Sequence, residues 1–190
     1  MYMETDRLCL GKLTRNEDPA LFEVLGDARN MRHYLHAFDE EEVGQWIARN
    51  IERYQVFGFE LWAVVLMETG ELIGDCGITM QNIGGFIRPE IGYHINRRYQ
   101  CRGYAKEAAR ACRDYAFENT PFNILYSYMR RENTASAATA LANGMHMVEE
   151  YRSLEGESIL VNAITRQEWA ELPEKRSSKQ EKFPRGEASR

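Results

Sequence analysis

Between Glu90 and Lys106 the chain carries its densest set of residues able to do chemistry. In the extended run Arg88 to Ile95, Glu90, Gly92 and His94 alternate onto one face and Ile91, Tyr93 and Ile95 onto the other. Asn96 and a short linker then lead to Gln100-Cys101-Arg102-Gly103-Tyr104-Ala105-Lys106, a glycine-bearing turn that opens a helix. Such a turn is an anion site, because first-turn N–H groups have no partner inside the helix and the macrodipole adds about half a positive charge. Gly103 lets backbone approach a phosphate closely, Ala105 keeps the next side chain small, and a pyrophosphate fits over the amides of Arg102 to Lys106. Arg102 or Lys106 adds charge. A glycine at a helix start also occurs in ordinary tight turns, so the neighbouring residues must decide.

The elements that position this segment are legible from periodicity. Leu8, Leu10 and Leu13 mark a first strand within Arg7 to Leu13, broken in period by Gly11 and Lys12. A short helix runs from Pro19 to Leu25. Asp39 with Glu42 forms a capping box ahead of Val43, Trp46, Ile47, Ile51 and Tyr54, an amphipathic helix ending near Gly58. Glu60 to Met67, Leu72 to Gln81 and Arg88 to Ile95 read as an antiparallel meander, separated by Glu68-Thr69-Gly70 and Gly84-Gly85. After Gly103, Ala105, Ala108, Ala109, Cys112 and Ala116 form a stripe of small residues, with Lys106, Arg110, Arg113 and Asp114 on the opposite, polar face. Asn123 to Met129 is a strand, Thr134 to Ala142 a helix stopped by Asn143-Gly144, and Met145 to Tyr151 with Ser158 to Ile164 the last two strands. The order is an α+β pattern with about seven strands in a mixed, mostly antiparallel sheet and about four helices.

At 190 residues, 44% of them hydrophobic and 28% charged, the chain fits one soluble domain. Residues 1–172 make that domain. Residues 173–190 have Phe183 as their one large apolar side chain and read as a flexible charged tail. No run approaches a membrane span and the N-terminus lacks signal-peptide character, so the expectation is a cytoplasmic protein. Cys9, Cys76, Cys101 and Cys112 lack zinc-type spacing; they read as reduced thiols, and no metal is expected. The net charge is −5, and since the tail is basic the body is more acidic still, which disfavours nucleic acid and suits cationic acceptors.

Gln100-Cys101-Arg102-Gly103-Tyr104-Ala105 resembles the coenzyme A signature Gln/Arg-x-x-Gly-x-Gly/Ala of the GNAT superfamily. Glu90-Ile91-Gly92-Tyr93, Ala105-Lys106-Glu107-Ala108, Asn133-Thr134-Ala135-Ser136 with Asn143-Gly144-Met145, and the opening Thr5-Asp6-Arg7-Leu8-Cys9-Leu10 are similar to its branch that modifies ribosomal-protein N-termini. These motifs occur in order between Thr5 and Trp169. The resemblance implies a three-layer GNAT fold with splayed central strands, in which Ile95 and Asn96 pair with the pantetheine arm. It further implies that Asn133 bonds the arm, that Ser136 sits near the sulfur, and that Gln100 to Lys106 hold the pyrophosphate of acetyl-CoA.

The reaction so implied is direct attack of an amine on the thioester. An α-amino group at pKa ~8 or a lysine at ~10.4 is mostly protonated at neutral pH, so a base must take a proton. Glu90 is the first candidate and His94 the second; each also has a structural reading, Glu90 as a solvated strand residue beside Arg88 and His94, for which that reading weighs more, as a packed or exposed imidazole. The Ile95 amide could serve the oxyanion. Many relatives carry a Tyr seven residues after the motif Asn, where this chain has Ala140, which leaves Ser136 as the candidate donor to the leaving thiolate. Asn133 and Ser136 also fit a helix cap and a backbone-bonded first-turn serine. Cys101 is inert filler or, with a lowered thiol pKa, a mixed-disulfide site. The leading expectation is therefore an N-acetyltransferase, monomeric or homodimeric, acting on a protein N-terminus, a lysine or a small amine. The alternative is a GNAT-fold acyl-CoA-binding sensor. A dinucleotide-binding enzyme is disfavoured, since no Gly-x-Gly-x-x-Gly follows a strand.

Overall fold

The structure, a computed structural model, describes residues 2–173. It contains strands β1 (Tyr2–Glu4), β2 (Leu8–Lys12), β3 (Leu61–Leu66), β4 (Leu72–Ile83), β5 (Phe86–Ile95), β6 (Ile124–Arg130), β7 (His146–Arg152) and β8 (Ser158–Thr165). The helices are α1 (Asp18–Leu25), α2 (Glu40–Phe57), α3 (Tyr104–Asn119), α4 (Thr134–Ala142) and α5 (Arg166–Glu171). The strands form one sheet in the order β1-β2-β3-β4-β5-β6-β8-β7. All neighbours are antiparallel except β5 and β6, whose parallel contact is the single pair Glu90↔Tyr126. The expected meander is β3-β4-β5, with register running from Gly74↔Ile95 to Ile83↔Phe86 in its second hairpin. The flexible tail expected over residues 173–190 lies, from residue 174 onward, outside the described residues.

Each face of the sheet carries its own core. Leu8, Leu10, Trp62, Val64, Cys76, Ile78 and Ile91 pack against the small-residue stripe of α3. Ala108, Ala109, Cys112 and Ala116 are all buried there, and the thiols of Cys76 and Cys112 approach to 3.5 Å, a separation that only small helix side chains permit. On the opposite face Leu13 and Ala63 meet Leu21, Val24 and Leu25 of α1 and Val43 and Ile47 of α2. The broken period in the first strand is thereby explained, because Leu8 and Leu10 face one core and Leu13, just past the strand, faces the other. α2 starts at the expected box: Asp39 Oδ1 accepts from the Glu42 N–H at 2.8 Å and the Glu42 carboxylate accepts from the Asp39 N–H at 2.9 Å.

Three elements differ from the sequence reading. β1 adds an eighth strand, three residues long, which pairs with the outer edge of β2; so short an edge strand needs no alternating pattern of its own. α5 opens after Thr165 with its own capping box, the Glu168 carboxylate accepting from the Thr165 N–H at 2.7 Å. Arg113, placed on the polar face of α3, is fully buried. Its Nη1–H donates to Asn143 O at 2.9 Å and its Nε–H to Asp114 Oδ1 at 2.8 Å, while Trp169 Nε1–H donates to the same carboxylate at 2.7 Å. A buried guanidinium is stable only when paired and hydrogen-bonded, and here it fastens α3 to the end of α4 and to α5.

Close approach also fixes the strand behind the site. A Cβ on Gly74 would lie 1.9 Å from the carbonyl oxygen of His94. Gly74→Ala is expected to cost about 2–3 kcal/mol through forced backbone displacement, to be read from the urea midpoint at unchanged m-value.

Candidate active site

The site begins where the sheet stops pairing. At the end of the β4–β5 hairpin Asn96 N–H donates to Ile73 O at 2.7 Å. The alternation of an antiparallel ladder then aims the N–H and C=O of His94, Gly92 and Glu90 at β4, and those of Ile91, Tyr93 and Ile95 away from it. β6 is bridged to β5 only at the pair Glu90↔Tyr126. Beyond that point the backbone groups of Tyr93 and the N–H of Ile95 face an open gap. The gap belongs to a cavity of about 780 Å³ that runs from Gln100–Lys106, past β5 and α4, to Tyr34 and the turn between β7 and β8.

At one end of the cavity α3 presents its N-terminus. Gly103 is its N-cap at φ 85 and no side chain caps the helix, so the first-turn amides of Tyr104, Ala105 and Lys106 point outward unbonded by a cap. Cys101, also left-handed at φ 60, shapes the preceding turn and is exposed, as are Arg102 and Lys106. The turn is braced from β2. Arg7 forms an ion pair with Glu107 at 2.6 Å, donates to Arg102 O at 3.1 Å and covers the Tyr104 ring at 4.4 Å. The amide of Gln100 donates to Asn30 Oδ1 at 2.7 Å and to Ile95 O at 2.9 Å, so this side chain ties loop 26–39 to β5 and is turned from the anion site.

The assignment of Asn96 to the pairing row is corrected. Its N–H is held by Ile73 O, its carbonyl accepts from Tyr99 N–H at 2.8 Å and its side chain caps Arg98 N–H at 3.0 Å. Parity of the ladder explains this, since Asn96 shares the direction of His94 while Ile95 shares that of Tyr93. The outward row is therefore Tyr93 and Ile95.

Across the gap stands α4. Asn133 is its N-cap, Oδ1 accepting from Ser136 N–H at 3.2 Å, which leaves the carboxamide NH₂ to face the cavity. Ser136 Oγ lies 2.9 Å from the hydroxyl of Tyr93, which also donates to Ser136 O at 3.0 Å. Burial pushes the Tyr93 phenol up to about 12. Ala140 is buried one turn further along. A phenol thus reaches Ser136 from β5, an arrangement that sequence spacing within α4 gave no sign of.

Glu90 and His94 share the other face of β5, as their alternation requires. Burial raises the Glu90 carboxyl to about 7, against a hydrogen bond from Thr79 Oγ1–H at 2.8 Å and the charge of His94, which pull it down. His94 is only 8% exposed and both ring nitrogens are engaged: Nδ1 lies 2.6 Å from Asp75 Oδ1 and Nε2 lies 2.6 Å from the Tyr34 hydroxyl. Burial favours the neutral ring, but the Asp75 charge and hydrogen bond, joined by Glu90, outweigh it and raise the His94 pKa. Asp75, with no exposed surface, holds its second oxygen on Trp46 Nε1–H at 3.0 Å. Asp75, Thr79, Tyr34 and Tyr93 escaped the sequence reading. An aspartate within the apolar run of β4 was the one available signal, because such a residue must be paired when buried; Tyr34 lies in a loop without period. Among the described residues no cluster of three or more potential ligands could hold a metal, and no helix is long and apolar enough to cross a membrane.

Residues 7–146 match the family profile of the acetyltransferase (GNAT) domain. The chain belongs to the GNAT acetyltransferase family. It is 35% identical over 149 residues to protein YkkB of Bacillus subtilis (strain 168), covering 78% of this chain and 87% of that one. The solved acetyltransferase of Agrobacterium tumefaciens superposes with TM-score 0.75 at 29% identity, covering 86% of this chain and 94% of its own. The fold is also that of RimL, a ribosomal L7/L12 alpha-N-protein acetyltransferase solved in complex with coenzyme A, with TM-score 0.74 at 18% identity over 87% of this chain and 98% of that one. The splayed β5 and β6 and the open start of α3 all lie within the residues that match the GNAT domain.

The elevated Glu90 carboxyl has a stability consequence with a defined sign. The folded state holds this proton more tightly than the unfolded chain, so Glu90 favours folding at low pH and that contribution is lost as pH rises through about 7. Loss of Glu90 also removes one of the charges that raise His94, which weakens the variant at low pH and acts in the same direction. The melting temperature of Glu90→Gln relative to wild type should therefore be higher at about pH 8.5 than at about pH 5, measured by calorimetry in matched buffers.

Proposed function

We propose that this protein transfers an acetyl group from acetyl-CoA to a primary amine, that of a protein N-terminus, a lysine or a small molecule, by direct attack on the thioester. The observation that carries this reading is one continuous cavity joining an uncapped helix start to an unpaired strand edge and then to a buried carboxylate and imidazole. The residues present fit the co-substrate. Amides of Tyr104, Ala105 and Lys106 suit a pyrophosphate, the free groups of Tyr93 and Ile95 suit the amide-bearing arm, and Asn133 can bond it from the opposite wall. When bound, acetyl-CoA supplies an activated acetyl group on a thiol leaving group. Ile95 N–H is placed to donate to the thioester oxygen as negative charge gathers there, an interaction worth on the order of 3 kcal/mol in acyl-transfer sites. Ser136 donates to the sulfur once Tyr93 turns its single hydroxyl hydrogen from Ser136 O to Ser136 Oγ, which frees the serine hydrogen.

Glu90 is the base that prepares the acceptor. An amine that arrives as an ammonium ion must lose a proton before it can attack, and a carboxylate poised near 7 accepts it without being permanently neutral at cellular pH. We read residues 1–172 as the catalytic unit, acting in the cytoplasm as a monomer or homodimer. Ala140, which leaves α4 without a phenol, favours a second reading in which the protein binds acyl-CoA without turnover.

Calorimetric titration with acetyl-CoA tests the first step. Wild type is expected to bind and Gly103→Glu to lose binding, since the variant puts a side chain and a negative charge on a left-handed residue at the phosphate end. Thiol release is then followed with spermidine, Nα-blocked lysine and a peptide with a free α-amino group. Turnover that rises with pH through about 7 and falls about 10²-fold in Glu90→Gln supports the enzyme; binding without release from any amine supports the second reading.

A further inference from the structure

An ammonium acceptor has to lose two protons on its way to an amide, and the site holds two separate bases. The first proton leaves before attack, to Glu90 in the reading above, on which the present inference rests. The second leaves after the nitrogen has bonded to the acetyl carbon and become cationic again. The neutral His94 ring cannot take this proton directly, since it is buried with both nitrogens occupied. Its tautomer follows from its partners. As a carboxylate, Asp75 can only accept, so Nδ1 of the neutral ring carries the hydrogen that bonds it, and Nε2 then accepts the hydrogen of the Tyr34 hydroxyl. The oxygen of Tyr34 is left with its lone pairs unclaimed by that bond, and Tyr34 lines the cavity with 45% of its surface exposed.

We propose that Tyr34 is a catalytic residue that takes the second proton of the acceptor nitrogen as it passes its own hydroxyl proton to His94 Nε2. The N–H bond of the cationic nitrogen breaks, a new O–H forms on Tyr34, the old Tyr34 O–H breaks and Nε2–H forms, leaving imidazolium against the Asp75 carboxylate. Of the two protons removed, one ends on the coenzyme A sulfur as thiol and the other returns to solvent. The transfer has to be coupled. Although much of the Tyr34 ring is exposed, desolvation around its hydroxyl against His94, together with the negative charge of Glu90 and Asp75, drives the phenol far up, so Tyr34 can accept a proton only while it donates one. The assembly behind it is rigid. Trp46 holds Asp75 Oδ2 and sets its ring edge against His94 at 5.7 Å between centroids, and the Tyr34 ring lies at 5.2 Å from the imidazole. The titratable groups that face this relay are Asp75 from β4, Glu90 and Tyr93 from β5, and Tyr128 from β6.

Two measurements decide it. With whichever of the three amines wild type turns over fastest, Tyr34→Phe should lower kcat about 10²-fold with acetyl-CoA affinity unchanged. His94→Gln should add little to Tyr34→Phe, because the two act in series, whereas Glu90→Gln should multiply with it, because it serves a different proton. Tyr34→Phe within twofold of wild type, or full multiplication of the Tyr34 and His94 effects, overturns the relay and leaves acetyl transfer standing. Failure of wild type to release thiol removes the acetyl-transfer reading instead. The second measurement needs no acceptor: nitrogen-15 NMR of the His94 ring at about pH 8.5 should show Nδ1 protonated and Nε2 accepting, with the Nε2 signal shifted in Tyr34→Phe. A protonated Nε2 donating to Tyr34 overturns the proposal.

Discussion

The constraint on which the rest of the structure depends is the loss of pairing between β5 and β6 after Glu90↔Tyr126. Each of these strands is firmly committed elsewhere. β5 is locked to β4 over the whole hairpin from Gly74↔Ile95 to Ile83↔Phe86, and β6 is locked to β8 from Ile124↔Thr165 to Arg130↔Ile159. Sheet twist separates two such antiparallel blocks when only one bridge joins them, and the connection between them passes through α3. Backbone groups in a sheet interior are costly to leave unbonded. The exposed edge of Tyr93 and Ile95 is therefore free to bond an extended partner, and it shares one cavity with the uncapped start of α3.

The same strand separates two kinds of chemistry by parity. Odd-numbered side chains of β5 face α3 and α4, which brings Tyr93 to Ser136; even-numbered ones face α1, α2 and loop 26–39, which brings Glu90 and His94 to Thr79, Asp75 and Tyr34. One residue of register slip would exchange these sets. Gly74 protects the register, because a side chain there would collide with the His94 carbonyl. The buried acid Asp75 is tolerable only because both oxygens are bonded. Those bonds also deny His94 any other orientation, so the stability requirement of a buried charge and the positioning of the imidazole are met by the same contacts.

How far the sequence could be read depended on whether local or distant residues determine each feature. α2 was legible because its cap, its apolar period and its left-handed Gly58 all lie within the segment itself. The hairpin β4–β5 and the helix start at Gly103 were legible for the same reason. Arg113 was not, since its helical position is polar by pattern and its burial depends on partners outside that pattern, among them the end of α4 and the carboxylate of Asp114. Tyr34 and Asp75 were not, because they meet His94 from a loop 60 residues away and a strand 19 residues away. Asn96 was misplaced by a single step of parity, a distinction that requires knowing which of two adjacent residues bonds β4.

The leaving-group end of the cavity is governed by magnitudes. A phenol held near 12 by burial is a much weaker acid than a thiol of ordinary pKa ~8.5, so full proton transfer from Tyr93 to a departing thiolate would be uphill by about 5 kcal/mol. Tyr93 and Ser136 can stabilise sulfur charge by hydrogen bonding, yet they cannot be the source of the proton that finally rests on the sulfur. That proton has to originate with the acceptor nitrogen and be held in the interim by groups that titrate close to neutrality. On the acceptor face Glu90 is raised to about 7 by burial, and His94, against its own burial, is raised from the ordinary imidazole value by Asp75. In the proposed reaction, with no helix-borne phenol at Ala140, bases on the acceptor face would carry the proton traffic of both half-reactions, and the serine and tyrosine of the opposite wall would be left with an electrostatic role.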